Sequence, residues 1–219
     1  MITKRDIEIF KFINRYGKSY IEVLGQTFFP SIQNARNRIN KLSKLELIGY
    51  WTTGLMTPRR AIVLRDEIKK FLEDEHNIKP KKAKLNTSTI HHNMIEQLAD
   101  FYISKLDGWV ERATVYEHSK KLHHIPDLIY HHPQGRIYIE VELHKKASKR
   151  YIDIFELMKR DNIIMVIYIV KNEVILKNYA NSFPKWQRLY FITIDELILN
   201  IKSKNQIDPM GQFDIQSIS

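Results

Sequence analysis

Apolar residues recur at helical spacing in the first third of the chain. This period predicts a helix that is capped by Thr3 and ended by Gly17, a second helix from about Ser19 to Gly25, and a third from Ser31 to about Leu45. Two runs at strand spacing follow, Leu47–Trp51 and Arg59–Leu64. Three short helices and a hairpin in this order predict a winged helix-turn-helix over residues 1–75.

A polar and basic segment over residues 76–88 carries a proline and is interpreted as a linker. Beyond it, helical and strand patterns alternate over residues 89–201, which predicts an α/β or α+β domain. A polar tail covers residues 202–219. The predicted elements are a helix from about Thr89 to Leu106, strands at Trp109–Tyr116, His124–Tyr130 and Ile137–Leu143, a helix from Ser148 to about Arg160, a strand at Ile163–Val170, a helix from about Val174, a strand at Leu189–Thr193, and a short helix at Ile194–Leu199.

Composition limits the class of partner. The 219 residues carry a formal net charge of +10 and contain no cysteine. The positive charge favours an anionic polymer as partner, and the absence of cysteine excludes disulfides and thiolate zinc sites. No apolar run approaches the length of a membrane-spanning helix, and the first residues lack the apolar core of a signal peptide. We therefore expect a cytoplasmic protein without membrane insertion.

The outer face of the third predicted helix is polar and basic. Such side chains reach phosphates and base edges, and arginines in the hairpin would contact the DNA backbone. The alternatives are a basic face that is only solvated, or a module that binds another protein. The predicted DNA-binding residues are Gln33, Asn34, Asn37, Arg38, Lys41, Lys44, Arg59 and Arg60.

Three carboxylates come together in the predicted hairpin of the second domain. Alternation along the strand Ile137–Leu143 places Glu140 and Glu142 on one face, and Asp127 arrives from the neighbouring strand. Like charges so close favour a bound cation, and hard oxygen ligands suit Mg²⁺ or Mn²⁺. The alternative is the solvated face of an antiparallel sheet, paired with lysines across the strand.

Several histidines flank the same hairpin, which raises the alternative of a zinc site. Adjacent histidines cannot both point to one face of a strand, so this interpretation is weaker than a carboxylate site. His124 and His144 remain candidates for contact with DNA phosphate. The histidines of this group are His118, His123, His124, His131 and His132.

The order α-β-β-β-α-β, with Asp127 before Glu140-Val-Glu142, resembles the PD-(D/E)xK (restriction-endonuclease-like) core, with Glu142 in place of the usual lysine. Over about residues 3 to 195 the chain resembles the replication-relaxation family, which includes the MOBC-class relaxases of mobilizable plasmids. The resemblance is carried by Thr3-Lys-Arg-Asp-Ile-Glu-Ile-Phe10, His91-His92-Asn93, Pro126-Asp127, Glu140-Val-Glu-Leu-His-Lys-Lys146 and Lys149-Arg-Tyr151.

The resemblance implies a role for each motif residue. Asp127 and Glu140 would hold one or two divalent ions, and Glu142 would complete the shell or act as base. Lys145 and Lys149 would stabilise charge on the scissile phosphate. Glu96 would assist a second metal, or it is a solvated helix glutamate. Tyr138 and Tyr151 are conceivable nucleophiles, although tyrosines in such positions usually pack.

Two functions remain open at this stage. The first is a metal-dependent relaxase that nicks double-stranded DNA at a plasmid transfer origin during conjugative mobilization, with other relaxosome proteins as further partners. The second is a non-catalytic DNA-binding protein with a degenerate nuclease fold. In that case the chain would serve as a replication or relaxosome accessory factor, or as a transcriptional regulator.

Overall fold

The fold is a mixture of helices and two β-sheets. In a computed structural model of the chain, residues 2–84, 86–104, 109–111, 125–132, 135–144, 147–161, 163–172 and 189–203 are described. These residues contain seven α-helices, one sheet of three strands and one of five. The chain divides into two compact units, residues 1–98 and 99–219.

The N-terminal unit contains the predicted helices and hairpin. Its elements are α1 (Lys4–Tyr16), β1 (Ser19–Tyr20), α2 (Ile21–Thr27), α3 (Ile32–Lys44), β2 (Ile48–Thr52), β3 (Arg60–Leu64) and α4 (Asp66–His76). The strand order is β1-β3-β2, and both pairings are antiparallel. The predicted ends of α1 are confirmed, because Thr3 forms a capping box with Asp6 and Gly17 adopts a φ of 74°.

Two elements of this unit differ from the sequence prediction. Ser19 and Tyr20 were expected in the second helix, but they pair with β3 as a short strand, so that α2 begins at Ile21. Helix α4 was not predicted at all. Its signal was present in the sequence, since Ile68 and Leu72 stand four residues apart and both are buried.

A buried ion pair joins α1 to α3. The Arg38 guanidinium donates from Nε to Asp6 Oδ1 at 2.8 Å and from Nη2 to Asp6 Oδ2. The backbone N–H and hydroxyl of Thr3 also donate to Asp6 Oδ2, at 2.7 and 2.6 Å. Burial alone raises the pKa of Asp6, but the hydrogen bonds from Arg38 and Thr3 outweigh it and hold the pKa below the ordinary 3.8.

Part of the predicted linker packs against the C-terminal end of α1. The Asn14 side chain donates to the Lys79 carbonyl at 3.0 Å and accepts from the Lys81 N–H at 3.1 Å. At Gly17 a Cβ would lie 2.9 Å from Ala83 Cα, so the segment needs a glycine there. The compact N-terminal unit therefore extends beyond the predicted boundary at residue 75 and ends at Leu98.

The chain passes from one unit to the other within α5 (Ile90–Ile103). The C-terminal unit contains β4 (Trp109–Glu111), β5 (Leu128–His132), β6 (Gly135–Glu142), α6 (Ser148–Met158), β7 (Ile163–Val170), β8 (Leu189–Thr193) and α7 (Ile194–Ser203). The strand order is β4-β5-β6-β7-β8, antiparallel up to β6 and parallel from β6 to β8. The helix predicted from Val174, the strand predicted beyond residue 111 and the tail beyond residue 203 lie outside the described residues.

Helix α6 supplies the apolar side chains that cover one face of this sheet. Tyr151, Phe155 and Met158 pack with Tyr138 of β6 and Tyr168 of β7. Ile152 is exposed, because the inward stripe follows the i, i+4, i+7 spacing from Tyr151. Among the described helices, none combines the length and the apolar character needed to cross a membrane.

We expect Asp6→Asn to lower the free energy of unfolding of the N-terminal unit by about 2 kcal/mol at neutral pH. This value is below the range for fully buried pairs because Arg38 is 23% exposed. A carboxyl with a lowered folded-state pKa contributes its stability above its unfolded-state pKa, and loses it as the pH falls through the folded value. The difference between wild type and variant, measured by urea unfolding, should therefore shrink below about pH 4.

Glu8→Gln is the matched control, because Glu8 lies on the same helix and forms an exposed pair with Lys11 at 3.0 Å. Its effect on the free energy of unfolding should stay below about 0.5 kcal/mol. An equal loss in the two variants, or a pH-independent loss in Asp6→Asn, would contradict the role assigned to the buried pair.

Candidate metal site and nucleic-acid interface

Asp127 lies directly before β5 and is tied to β6 by a hydrogen bond. In the antiparallel register Leu128 pairs with Ile139, so one further step brings Asp127 opposite Glu140. The Val141 N–H donates to Asp127 Oδ2 at 2.7 Å. The sequence prediction that Asp127 reaches the acidic strand from its neighbour is borne out by this register.

Glu140 and Glu142 share the face of β6 that α6 covers. Both are buried, with 6% and 5% of their surface exposed, and Tyr138 of the same face packs against Tyr151 and Phe155. The opposite face of the strand is buried as well, through Ile137, Ile139 and Val141. The alternative of a solvated sheet face is therefore wrong for this acidic pair.

Tyr168 on β7 borders the acidic pair and was not among the predicted site residues. It is the pairing partner of Glu140 in the parallel register, and its ring lies 5.8 Å from the ring of Phe191. Burial raises the pKa of the Tyr168 phenol, and the negative charges of Glu140 and Glu142 raise it further. A signal was available in the sequence, since Tyr168 is the one polar side chain in the apolar run Ile163–Val170.

The donor chemistry of this region fits a hard divalent cation. Asp127, Glu140 and Glu142 offer carboxylate oxygens, the ligands that Mg²⁺ and Mn²⁺ prefer. Within the described ranges, no group of three or more histidine and carboxylate side chains is arranged to hold an ion as it stands. The register thus brings Asp127 and Glu140 together, with Glu142 one pleat further along the same face.

The remaining predicted residues of this site are spread over the described and undescribed parts of the chain. Glu96 is buried on α5 within the N-terminal unit, so its interpretation as a solvated helix glutamate is wrong. Lys149 is exposed in the first turn of α6, and His144 is exposed after β6. Lys145, His118, His123 and His124 lie outside the described residues, and the side chains of His131 and His132 are not described.

Tyr138 and Tyr151 are packing residues. Both are fully buried, and both belong to the apolar cluster under α6. The Tyr138 hydroxyl donates to Asp161 Oδ2 at 3.1 Å. Burial, followed by the charge of Asp161, raises the pKa of Tyr138. This environment is consistent with the expectation that Tyr138 and Tyr151 pack in the core and do not act as nucleophiles.

Helix α3 presents most of its predicted DNA-binding side chains to solvent. Gln33, Asn34, Asn37, Lys41 and Lys44 are exposed, while Ala35, Ile39 and Leu42 form the buried stripe. Arg38 differs from the other predicted residues, because its guanidinium is engaged by Asp6. We therefore assign Arg38 a structural role in joining α1 to α3.

The exposed face of α3 continues onto the hairpin through Asn40 and Tyr50, which were not among the predicted DNA-binding residues. The Tyr50 hydroxyl donates to Asn40 Oδ1 at 3.2 Å, and the Arg60 guanidinium lies 5.4 Å from the centre of the Tyr50 ring. Arg59 and Arg60 are both exposed. Asn40 could have been found from its spacing, since it lies three residues after Asn37 and seven after Gln33.

Comparisons of the chain with protein-family models, with curated proteins and with solved structures found no match. The resemblance to the replication-relaxation family is therefore carried by the motif residues alone. Function is inferred from the chemistry of the side chains described above and from their geometry.

We expect Tyr138→Phe to lower the free energy of unfolding by about 1 to 2 kcal/mol, because Asp161 loses a buried hydrogen-bond donor. Urea unfolding measures this loss, and Tyr50→Phe is the comparison variant. It removes a hydroxyl whose hydrogen-bond partner, Asn40, is exposed to water, so its effect on the free energy of unfolding should be smaller. If Tyr138→Phe were as stable as wild type and yet lacked DNA-nicking activity, the packing role would be refuted in favour of a nucleophile.

Proposed function

We propose that this chain is a divalent-metal-dependent DNA endonuclease of the relaxase type, which nicks one strand at a plasmid transfer origin. The observation that carries the proposal is the juxtaposition of Asp127 and Glu140 across β5 and β6, with Glu142 buried on the same face. Carboxylates held in this way fit a cation, and the net charge of +10 fits a phosphodiester polymer as substrate.

We further infer that the C-terminal unit is a PD-(D/E)xK core. The support is the chain order α5-β4-β5-β6-α6-β7. In the sheet the first four strands are neighbours in the order β4-β5-β6-β7, and of these three pairings only β6 with β7 is parallel. The acidic residues stand at the matching positions, before the second of these strands and on the third. Glu142 replaces the usual lysine of the motif.

By the same reasoning, the N-terminal unit is a winged helix-turn-helix that guides the enzyme to its DNA. The order α1-β1-α2-α3-β2-β3, a three-stranded sheet and the exposed polar face of α3 support this inference. Helix α3 would enter the major groove, and Arg59 and Arg60 would contact the backbone. The net charge of +10 adds the sequence-independent attraction that such binding needs.

Each residue of the acidic site has a definite task in this proposal. Asp127 and Glu140 would hold Mg²⁺ or Mn²⁺, and a divalent ion there would polarise the scissile phosphate and lower the pKa of a bound water. The hydrogen bond from Val141 fixes the orientation of the Asp127 carboxylate. Glu142 would complete the shell or accept a proton from water, and Lys149, with Lys145, would stabilise negative charge on the phosphate.

A second candidate function is favoured by one observation. Because Asp127 already accepts the Val141 N–H, its carboxylate has a structural task that needs no metal. In that case the chain is a non-catalytic DNA-binding protein, a replication or relaxosome accessory factor or a transcriptional regulator. The two candidates share the DNA contacts of α3 and differ in the need for the acidic residues.

Glu140→Gln tests the enzyme directly, because it removes one buried charge at nearly constant shape. We expect nicking of supercoiled plasmid that carries the DNA flanking the gene to require Mg²⁺ or Mn²⁺ and to fall at least about 100-fold in the variant. Affinity for the same DNA in EDTA should stay within about twofold, since the acidic residues are not the predicted DNA-binding groups.

Glu156→Gln is the matched control, because Glu156 lies exposed on α6 in a surface pair with Lys159 at 2.6 Å. This control should nick as the wild type does. If no metal supports nicking by the wild type while a specific footprint appears on the DNA, the non-catalytic candidate is correct. Equal nicking by wild type and Glu140→Gln would contradict the metal-binding role assigned to Glu140.

Lys41→Ala tests the DNA contact of α3. Removing one phosphate contact should weaken binding at low salt and reduce the slope of log K against log salt by about one. Lys70→Ala on the exposed face of α4 removes the same charge away from α3 and should leave the slope unchanged. Equal slopes in the two variants would place the DNA contact on another surface.

A further inference from the structure

The tip of the β2–β3 hairpin exposes large apolar side chains. Trp51 is 40% exposed and Met56 is 87% exposed. Gly54 adopts a φ of 77°, and a Cβ there would meet no atom within 4 Å, so the tip is open on this side. Large apolar side chains exposed at the open end of a hairpin are available to contact a partner.

The charge of the hairpin indicates what kind of partner contacts it. Between Ile48 and Leu64 the sequence contains two arginines, Arg59 and Arg60, and no acidic residue. An apolar and cationic surface complements a ligand that combines flat apolar rings with negative charge. Nucleic acid has this combination where its bases are accessible.

The two aromatic residues of β2 point to opposite faces. Tyr50 pairs with Ile62 and contacts Asn40 of α3, so it belongs to the surface proposed to read duplex DNA. Trp51 pairs with Ala61 on the other face of the hairpin. In duplex DNA the base faces are stacked on one another, so an indole ring stacks most readily on a base that has left the duplex.

We propose that the hairpin tip binds unpaired bases beside the duplex held by α3, with Trp51 stacking on a base, Met56 packing against the same strand and Arg59 contacting its phosphates. This inference rests on the DNA binding proposed above, and it names the substrate class more closely as DNA with a partly opened strand.

Fluorescence anisotropy with three labelled oligonucleotides tests the proposal. The probes are a blunt duplex, the same duplex with an unpaired extension, and the extension alone, all in EDTA so that no cleavage occurs. Trp51→Ala should raise the Kd for the extended duplex by about tenfold, the loss expected for one stacked base, and leave the Kd for the blunt duplex unchanged. Trp51→Phe should recover most of the loss because it retains a ring.

Ile2→Ala is the control, since Ile2 is 41% exposed in the same unit and lies outside the hairpin. It should bind all three probes as the wild type does. Equal weakening of both duplex probes by Trp51→Ala, or no weakening of either, overturns the proposal. In the latter case the tip faces another partner, such as a protein.

The same titrations separate this inference from the proposed function. If the wild type binds the blunt duplex and Lys41→Ala weakens that binding, DNA recognition by α3 stands whatever Trp51→Ala does. If the folded wild type binds none of the three probes at low salt, both the DNA-binding function and the role of the tip are refuted.

Discussion

The burial of two carboxylates on one face of β6 is the constraint on which the C-terminal unit depends. Glu140 and Glu142 are almost completely buried, and transfer of a charged group into such a place costs several kcal/mol unless charge or hydrogen bonds compensate. Tyr168 and Asp127 are grouped around the same position. A fold under selection for stability alone would place apolar residues there, so the acidic pair is best explained by a task that needs charge.

Local patterns in the sequence predicted most of the described elements, with β1 and α4 as exceptions, but they did not predict what packs against each element. Alternation in Ile137–Leu143 is a property of the strand itself, so it correctly placed Glu140 and Glu142 on one face. Whether this face of β6 is exposed to solvent or covered depends on α6, which packs against the sheet only in the folded unit. The same limit applies to α6, where packing in the folded unit turns Tyr151 inward and leaves the neighbouring Ile152 exposed.

In the N-terminal unit the signals at Thr3, Gly17 and Ser31 are short-range, and the structure has caps at all three. The role of Arg38 is set by Asp6, which lies 32 residues earlier, and no pattern within α3 distinguishes Arg38 from Lys41. Likewise, Asn14 holds the backbone near Lys79, 65 residues later, so a segment with the composition of a linker packs as part of a compact unit. Long-range partners of polar side chains are the information that a single sequence lacks.

The mixed pairing of β6 also bears on the order in which the acidic face closes during folding. β5 and β6 form a local antiparallel pair, which needs little loop-closure entropy. Pairing of β6 with β7 is parallel and must wait until the intervening α6 has crossed the sheet. The hairpin can therefore form while its carboxylates are still hydrated, and their desolvation is deferred to the later docking of α6 and β7.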